Sequence, residues 1–225
     1  MTTGYFVTGT DTGIGKTTVS CALLRAFASQ GKSVIGMKPI AAGRENGQWM
    51  DVERLLAASN VVVSRQHVNP YAFDSPISPH IAAQQMGAGI DLTVIHQAYR
   101  ELCKHAEVVI VEGAGGFLVP VNNDQTGADL AQVLNLPVIL VVGMRLGCLN
   151  HALLTAQAIR AVGLTLAGWV ANGIDPGMMA VAENIDTLRQ RMLCPLLGIL
   201  PFCGETDNHQ IAGLVNTQLL TNVTA

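Results

Sequence analysis

The chain has 225 residues, of which 49% are hydrophobic and 13% are charged, and its formal net charge is -3. A chain of this size and composition can bury a substantial core, and we expect one globular domain over residues 1–225. The acidic balance supplies no basic stripe for nucleic acid, and the apolar runs are far shorter than the roughly 20 residues of a membrane-spanning helix. We expect a cytoplasmic protein, because no basic segment followed by an apolar one opens the chain.

Short β-branched runs alternate with longer helical patterns along the chain. The predicted strands cover residues 5–9, 33–38, 108–112, 137–143, 165–172 and 196–200. The predicted helices cover residues 16–30, 52–58, 79–86, 92–105, 128–134, 149–162 and 178–192. Strands that are apolar on both faces and separated by helices are typical of parallel sheets. The sequence therefore predicts a doubly wound α/β fold, with a mostly parallel sheet covered by helices on both faces.

The segment GTDTGIGKTT, residues 9–18, follows the first predicted strand and opens the first predicted helix. Five residues separate Gly9 from Gly15, one more than in the usual phosphate loop G-x-x-x-x-G-K-[ST]. Glycines let backbone amides close around phosphate oxygens, Lys16 can neutralise their charge, and the Thr17 hydroxyl can hold Mg²⁺. This context predicts a P-loop nucleoside triphosphatase fold; the alternative is a glycine-rich turn with a solvated lysine.

Three further residues stand where strands end or helices start. Glu112 ends the apolar strand of VVIVEGAGG and is either a metal ligand or a capping or solvated acid. Lys38 ends the second predicted strand and is either functional or a solvated charge. Asp51 precedes a predicted helix, where an N-cap role is the alternative. All three belong to the edge where ligands of such sheets bind.

The segment GCLNH, residues 147–151, opens another predicted helix. Cys148 and His151 are neighbours there without an orienting acid, which disfavours a thiol nucleophile. A helix N-terminus that can receive an anion is the better interpretation. We also expect reduced thiols rather than disulfides or a zinc site, because the five cysteines form no C-x-x-C pair, and we expect structural roles for the other histidines.

The sequence lacks motifs that two classes of nucleotide-dependent protein should carry, which disfavours both classes. A GTPase should carry an N-K-x-D segment, which the chain lacks, and a partitioning ATPase would have lysine in place of Asp11. The chain instead resembles the ATP-dependent dethiobiotin synthetase family over about residues 3–202. The similar segments, in chain order, are GTDTGIGKT, MKP, NPYAF, SPH, VEGAGG, LPVILVVGMRLGCLNHALLTAQ and LAGWVAN.

This resemblance implies an ATP-dependent cyclo-ligase that forms carbon-nitrogen bonds in biotin synthesis. Members carboxylate 7,8-diaminononanoate with CO₂, phosphorylate the carbamate with ATP, and close the ureido ring to release ADP and phosphate. The resemblance also implies Mg²⁺, ATP as co-substrate, and a homodimer that binds its small-molecule substrate at the subunit interface. The alternative is a diverged nucleotide-binding protein of the same fold that lacks ring closure.

The resemblance also assigns roles to residues. Lys38, Lys16 and Thr12 are implied as catalytic, and Thr17, Asp51 and Glu112 as Mg²⁺ ligands. The implied nucleotide-binding residues are Gly13, Ile14, Gly15, Lys16, Thr17, Thr18, Asp51, Glu112, Gly113, Ala114, Gly115, Asn172, Pro201, Phe202 and Cys203. The implied substrate-binding residues are Lys38, Ala42, Leu146, Gly147, Cys148, Leu149 and Asn150.

The chain departs from the family pattern at three places. Ala42 stands where the better-known members have a serine that touches the substrate, which removes a hydrogen bond of about 0.5–1.5 kcal/mol. The loop over residues 43–50 is shorter than usual, and Gly173 follows Asn172 where an acid is common. We expect these departures to affect affinity and nucleotide preference rather than the type of reaction.

Overall fold

The computed structural model describes residues 2–202 and 211–220. Its strands are β1 (Thr3–Gly9), β2 (Val34–Met37), β3 (Ile40–Ala42), β4 (Tyr71–Phe73), β5 (Val108–Glu112), β6 (Val138–Met144), β7 (Leu166–Gly173) and β8 (Leu196–Leu200). Its helices are α1 (Lys16–Ala28), α2 (Met50–Ala58), α3 (Arg65–Val68), α4 (Pro79–Gln85), α5 (Leu92–Leu102), α6 (Gly127–Leu134), α7 (Cys148–Ala161) and α8 (Val181–Arg191), with a 3₁₀ helix at Thr217–Leu220.

Six parallel strands form the main sheet in the order β2-β5-β1-β6-β7-β8. The chain runs from β1 outward to β2, returns to β5, and then continues on the other side of β1 with β6. The strand order therefore reverses at β1, and a crevice opens at the carboxyl ends of such a switch point. This arrangement confirms the predicted doubly wound fold.

Helices cover both faces of this sheet. Along β1, Tyr5 and Val7 belong to one apolar cluster and Phe6 to the other, because successive side chains of a strand point to opposite faces. Helix α1 packs in the cluster of Tyr5, whereas Ile95 of α5 and Ile159 of α7 belong to the cluster of Phe6. In the described part of the chain, no helix is long and apolar enough to cross a membrane.

Every predicted strand and helix overlaps an observed one, with shifted ends. Four short elements in the described residues escaped prediction, namely β3, β4, α3 and the 3₁₀ helix at Thr217–Leu220. Strands β3 and β4 form a separate parallel pair, and α3 is a single turn of helix. Pro39 has no amide proton, so the chain leaves the main sheet after β2 and pairs elsewhere. Three-residue strands are too short to show a periodicity, which explains why the pattern missed them.

Candidate active site

The phosphate loop adopts a conformation that its glycines make possible. Gly13 and Gly15 have φ angles of 72° and 85°, in the left-handed region that favours glycine. Gly15 is the N-cap of α1, and a β-carbon there would overlap the amide nitrogen of Asn172. Asn172, on β7, donates a hydrogen bond from Nδ2 to the carbonyl oxygen of Ile14 at 2.7 Å. The loop therefore rests on β7.

Ile14 anchors the same loop on the sheet. Its side chain is 1% exposed, although the residue lies in a surface loop. It packs over Gly9 of β1 and Gly143 of β6, where added β-carbons would approach Ile14 atoms to 2.7 and 2.6 Å. Glycines at these two positions therefore make the room that Ile14 fills.

Strand register brings Lys38 and Glu112 together at the carboxyl edge. Met37 of β2 lies opposite Val111 of β5, so the residues that follow each of them are neighbours. Lys38 Nζ lies 2.6 Å from Glu112 Oε1, and the two residues are only 4% and 1% exposed. The solvated alternatives for Lys38 and Glu112 are therefore wrong.

Asp51 and Thr17 complete this polar cluster. Lys38 Nζ lies 3.0 Å from Asp51 Oδ2, and the Thr17 hydroxyl lies 2.8 Å from Glu112 Oε1 and 2.9 Å from Asp51 Oδ1. The N-cap alternative for Asp51 is wrong, since α2 begins at Met50 and Asp51 lies in its first turn. Side chains from α1, α2, β5 and the residue after β2 thus meet within hydrogen-bonding distance.

The charges of this cluster sustain one another. Burial alone would lower the pKa of Lys38, but the Glu112 and Asp51 carboxylates raise it above its ordinary value. Burial likewise opposes ionisation of Asp51, but the Lys38 ammonium lowers the pKa of that carboxyl below its ordinary value. Lys38 is therefore a cation and Asp51 an anion at neutral pH.

Backbone contacts hold Lys38 in place. Its amide donates to the carbonyl oxygen of Val68 at 2.9 Å, and Asn69 Nδ2 donates to the Lys38 carbonyl at 2.7 Å. Asn69 also donates to the carbonyl of Tyr71 at 2.9 Å. Sequence reasoning noticed Asn69 only as part of NPYAF, although an asparagine before a proline is a recognisable turn signal.

Lys16 is the second buried ammonium of the site. It is 7% exposed, and its Nζ donates to the carbonyl oxygen of Asp11 at 2.8 Å. Burial, followed by the nearby charge of Lys38, lowers the pKa of Lys16 to about 8. The Asp11 carboxylate in turn accepts from the Thr12 amide at 2.8 Å and from Arg145 at 2.5 Å. Arg145 follows β6, so this ion pair ties the phosphate loop to the segment that starts α7.

An open cleft of about 800 Å³ lies over these residues. The predicted site residues that line it are Thr12, Gly13, Gly15, Lys16, Thr17, Thr18, Lys38, Ala42, Asp51, Glu112, Ala114 and Gly115. Ile14 and Asn172 instead support the loop, and Gly113 lies beneath the cleft, where its carbonyl accepts from Lys38 at 3.3 Å. Pro201 and Phe202 follow β8 and are exposed, whereas Cys203 lies outside the described residues.

Sequence reasoning missed other residues of the cleft. Arg54, Ile40 of β3 and Val119 from the loop after β5 line it as well. The segment that starts α4 contributes Pro76, Ile77, Ser78, Pro79 and Ile81. Arg54 comes three residues after Asp51, a helical spacing that places both on one face of α2. That spacing was the available signal, and the SPH motif was the signal for α4.

Residues 146–150, at the start of α7, do not line the cleft. Gly147 is the N-cap of α7 with a φ of 95°, and no side chain caps the helix. The predicted helix N-terminus is therefore confirmed. Cys148 is buried, and burial raises the pKa of its thiol, which argues against a nucleophile. Leu146, by contrast, is 95% exposed.

The donor set of the cluster fits a hard divalent cation. Thr17, Asp51 and Glu112 offer only oxygen atoms, which Mg²⁺ prefers. Glu112 Oε2 is buried and has no hydrogen-bond partner among the described residues. Such an unpaired carboxylate oxygen is costly unless a cation or another donor approaches it.

The chain has extensive similarity to known proteins. A family model described as an AAA domain matches residues 3–210. The ATP-dependent dethiobiotin synthetase BioD of Nitrosospira multiformis is 62% identical over 216 residues, which is 96% of each chain. The protein of the same name from Aromatoleum aromaticum is 52% identical over 212 residues, 92% of this chain and 94% of its own. The chain belongs to the ATP-dependent dethiobiotin synthetase family.

Solved structures with low identity share the fold of this synthetase family member. A ParA family ATPase from Chlorobium tepidum superposes with a TM-score of 0.58 at 12% identity, covering 99% of this chain and 95% of its own. The septum site-determining protein MinD from Pyrococcus horikoshii, solved with Mg-ADP, also gives 0.58 at 15% identity, covering 99% and 90%. These similarities support the phosphate-loop architecture alone.

Because Lys38 and Glu112 form a buried ion pair, we expect the losses of unfolding free energy in their single variants to be strongly non-additive in the double variant. Lys38→Met leaves the Glu112 carboxylate buried without its cation, so we expect a loss of about 3–5 kcal/mol in the free energy of unfolding. Glu112→Gln in the same chain removes that charge, and the double variant should recover about 1–3 kcal/mol relative to the sum of the single losses. Urea denaturation of the two single variants and the double variant measures this coupling, and additive losses would show that the pair is not coupled.

Proposed function

We propose that this chain is an ATP-dependent dethiobiotin synthetase. It converts 7,8-diaminononanoate, CO₂ and ATP into dethiobiotin, ADP and phosphate. The observation that carries the proposal is one cleft that combines a phosphate loop with a buried ammonium held between two carboxylates. Such a cleft can bind a triphosphate and a carbamate side by side. Positioning and charge neutralisation are the main needs of phosphoryl transfer.

The phosphate loop binds the triphosphate of ATP in this proposal. Backbone amides over residues 13–18 point to the phosphate oxygens, and the N-terminus of α1 adds its partial positive charge. Lys16 lies buried in the cleft and neutralises the terminal phosphates. A polyanion beside Lys16 favours its charged form, which burial disfavours.

Thr17, Asp51 and Glu112 hold Mg²⁺ in this proposal, as their oxygen donors and the unpaired Glu112 Oε2 suggest. When bound, Mg²⁺ would neutralise charge on the bridging and terminal phosphate oxygens.

Lys38 acts on the reacting carbamate. Its pKa is raised, so its ammonium serves as a cation and hydrogen-bond donor and not as a base. A carbamate oxygen attacks the γ-phosphorus while the bond to ADP breaks, and the second amine then attacks the carbonyl carbon and expels phosphate. Lys38 stabilises the negative charge on the carbamate and on the mixed anhydride. Thr12 lines the same cleft and donates to the reacting oxygens.

Two further regions complete the proposed sites. Asn172 and the exposed side chain of Phe202, with the neighbouring Pro201 and Cys203, receive adenine. Because Asn172 Nδ2 donates to Ile14, its Oδ1 remains as an acceptor suited to an amino group. The uncapped start of α7 receives the distal carboxylate of the diamine from the opposite subunit of a homodimer. Ala42 lines the cleft without a hydroxyl, so we expect weaker substrate binding there.

Product formation tests the proposed reaction. Purified protein incubated with the diamine, bicarbonate, Mg²⁺ and ATP should release phosphate only when the diamine is present. Mass spectrometry should detect the cyclic urea in equal amount. Diamine-independent phosphate release without cyclic urea would instead support a diverged nucleotide-binding protein.

Lys38→Gln tests the catalytic role of the ammonium. The amide of glutamine can still donate to Glu112, so the cluster should fold, but the positive charge is lost. We expect kcat to fall about 100- to 1,000-fold, the usual cost of one transition-state donor, while the Kd for ADP changes little. Calorimetric titration of ADP serves as the folding control, and a kcat within about threefold of the wild-type value would return Lys38 to a structural role.

Hybrid dimers test the contribution of the second subunit. Leu146→Asp places a negative charge at the start of α7 and should raise KM for the diamine, since it repels the substrate carboxylate. In a hybrid dimer, one subunit carries Leu146→Asp and the other carries Lys38→Gln. Because each proposed site combines Lys38 of one subunit with the start of α7 of the other, one site then carries both changes and the other carries neither. Random mixing should therefore restore about a quarter of the wild-type activity from two poorly active parents. An active monomer in sedimentation, or no recovery on mixing, would contradict the cross-subunit role.

A further inference from the structure

Arg54 is a charged residue of the cleft to which neither the phosphate-loop motif nor the metal cluster assigns a role. Five ionisable residues line the cleft, and four of them are Lys16, Lys38, Asp51 and Glu112. Arg54 is the fifth. The first four carry charges that cancel, so the net positive charge of the protein side of the cleft comes from Arg54.

The fold directs Arg54 toward the first turn of α1. It follows Asp51 by three residues on α2, so the two share a face, and helical side chains lean toward the helix N-terminus, where Asp51 lies. The Arg54 carbonyl accepts from Cys21 Sγ at 3.4 Å. Cys21 comes one turn after Thr17 and Thr18, and these two residues also line the cleft. Arg54 therefore stands beside the turn of α1 that faces the phosphates.

The guanidinium of Arg54 has no carboxylate within ion-pair distance in residues 2–202 and 211–220. Lys38, in contrast, is bound by two carboxylates, and Arg145 is paired with Asp11. Arg65 is paired with Glu53, the residue before Arg54 on α2. An exposed guanidinium beside a phosphate-binding turn is suited to phosphate, which it can bind through two N–H groups at once.

We propose that Arg54 is a nucleotide-binding residue that contacts the phosphates of ATP and ADP from the α2 side of the cleft. This inference rests on the proposed function for the identity of the nucleotide. Arg54 increases affinity and does not take part in the chemistry, because Lys38 and Lys16 already lie deeper in the cleft, where the reacting groups meet. Its contribution is sensitive to salt, because Arg54 is exposed to solvent.

Arg54→Met tests this inference, since methionine keeps the apolar stem and helix propensity of arginine without its charge. We expect the Kd for ADP, titrated with excess Mg²⁺ at low salt, to rise about 3- to 10-fold, because one phosphate contact is lost. The loss should shrink at about 0.5 M NaCl, where exposed charges are screened. Arg54→Lys should recover part of the affinity.

Arg191→Met is the matched control. Arg191 is exposed and lies in the last turn of α8, which leads into β8 and so ends at the edge of the sheet opposite the cleft. The Arg191→Met variant changes the net charge by the same amount as Arg54→Met, and we expect it to leave the Kd for ADP unchanged. Equal effects of the two variants would show a general charge effect and overturn the proposal.

Steady-state kinetics separate the remaining outcomes. Arg54→Met should raise KM for ATP and leave kcat and KM for the diamine within about twofold. A rise in KM for the diamine with unchanged ADP affinity would show that Arg54 contacts the diamine and would overturn the proposal. Unchanged ADP affinity with an unchanged KM for the diamine would show that Arg54 contacts neither substrate, which would also overturn it. The ADP titration is independent of turnover, so a chain that binds ADP but forms no cyclic urea would refute the proposed function alone.

Discussion

The buried contact between Lys38 and Glu112 is the interaction on which the rest of the site depends. Two opposite charges that are only 4% and 1% exposed lose most of their hydration, and their attraction compensates for it only with good geometry and additional hydrogen bonds. The register of β2 against β5 supplies that geometry, while Asp51, Thr17 and the Gly113 carbonyl supply the additional contacts. The central sheet itself therefore positions this buried charge cluster.

The two lysines of the cleft differ because their neighbours differ. Lys38 lies between carboxylates, which raise its pKa, whereas Lys16 faces the Asp11 carbonyl in the repulsive field of Lys38, and burial lowers its pKa. Lys38 is thus satisfied within the protein, and Lys16 gains most from an incoming anion. This contrast separates a cation that is paired with carboxylates from one whose charged form an incoming anion would favour.

Local patterns in the sequence predicted the parts of the molecule that local patterns determine. Buried strands, amphipathic helices and the phosphate loop follow from periodicity and spacing, and all were found. The Lys38 contact joins residues 74 apart, and the pair of Asp11 and Arg145 joins residues 134 apart. Such contacts depend on strand order and register, which no single segment encodes. The burial of Lys38 and Glu112 therefore follows from the pairing of β2 with β5 and not from the segments in which they lie.

The phosphate loop, with its additional residue, is held in place by contacts with residues distant in sequence. Ile14 precedes Gly15, fills the space above Gly9 and Gly143, and has its carbonyl bound by Asn172. The loop is thereby attached to β1, β6 and β7 at once. In the proposed reaction, a loop fixed in this way would bind phosphate without rearranging, and its amides would be preorganised for that charge. The unusual spacing thus accommodates an anchor, and Gly143 and Asn172, more than 100 residues away in sequence, make that anchor possible.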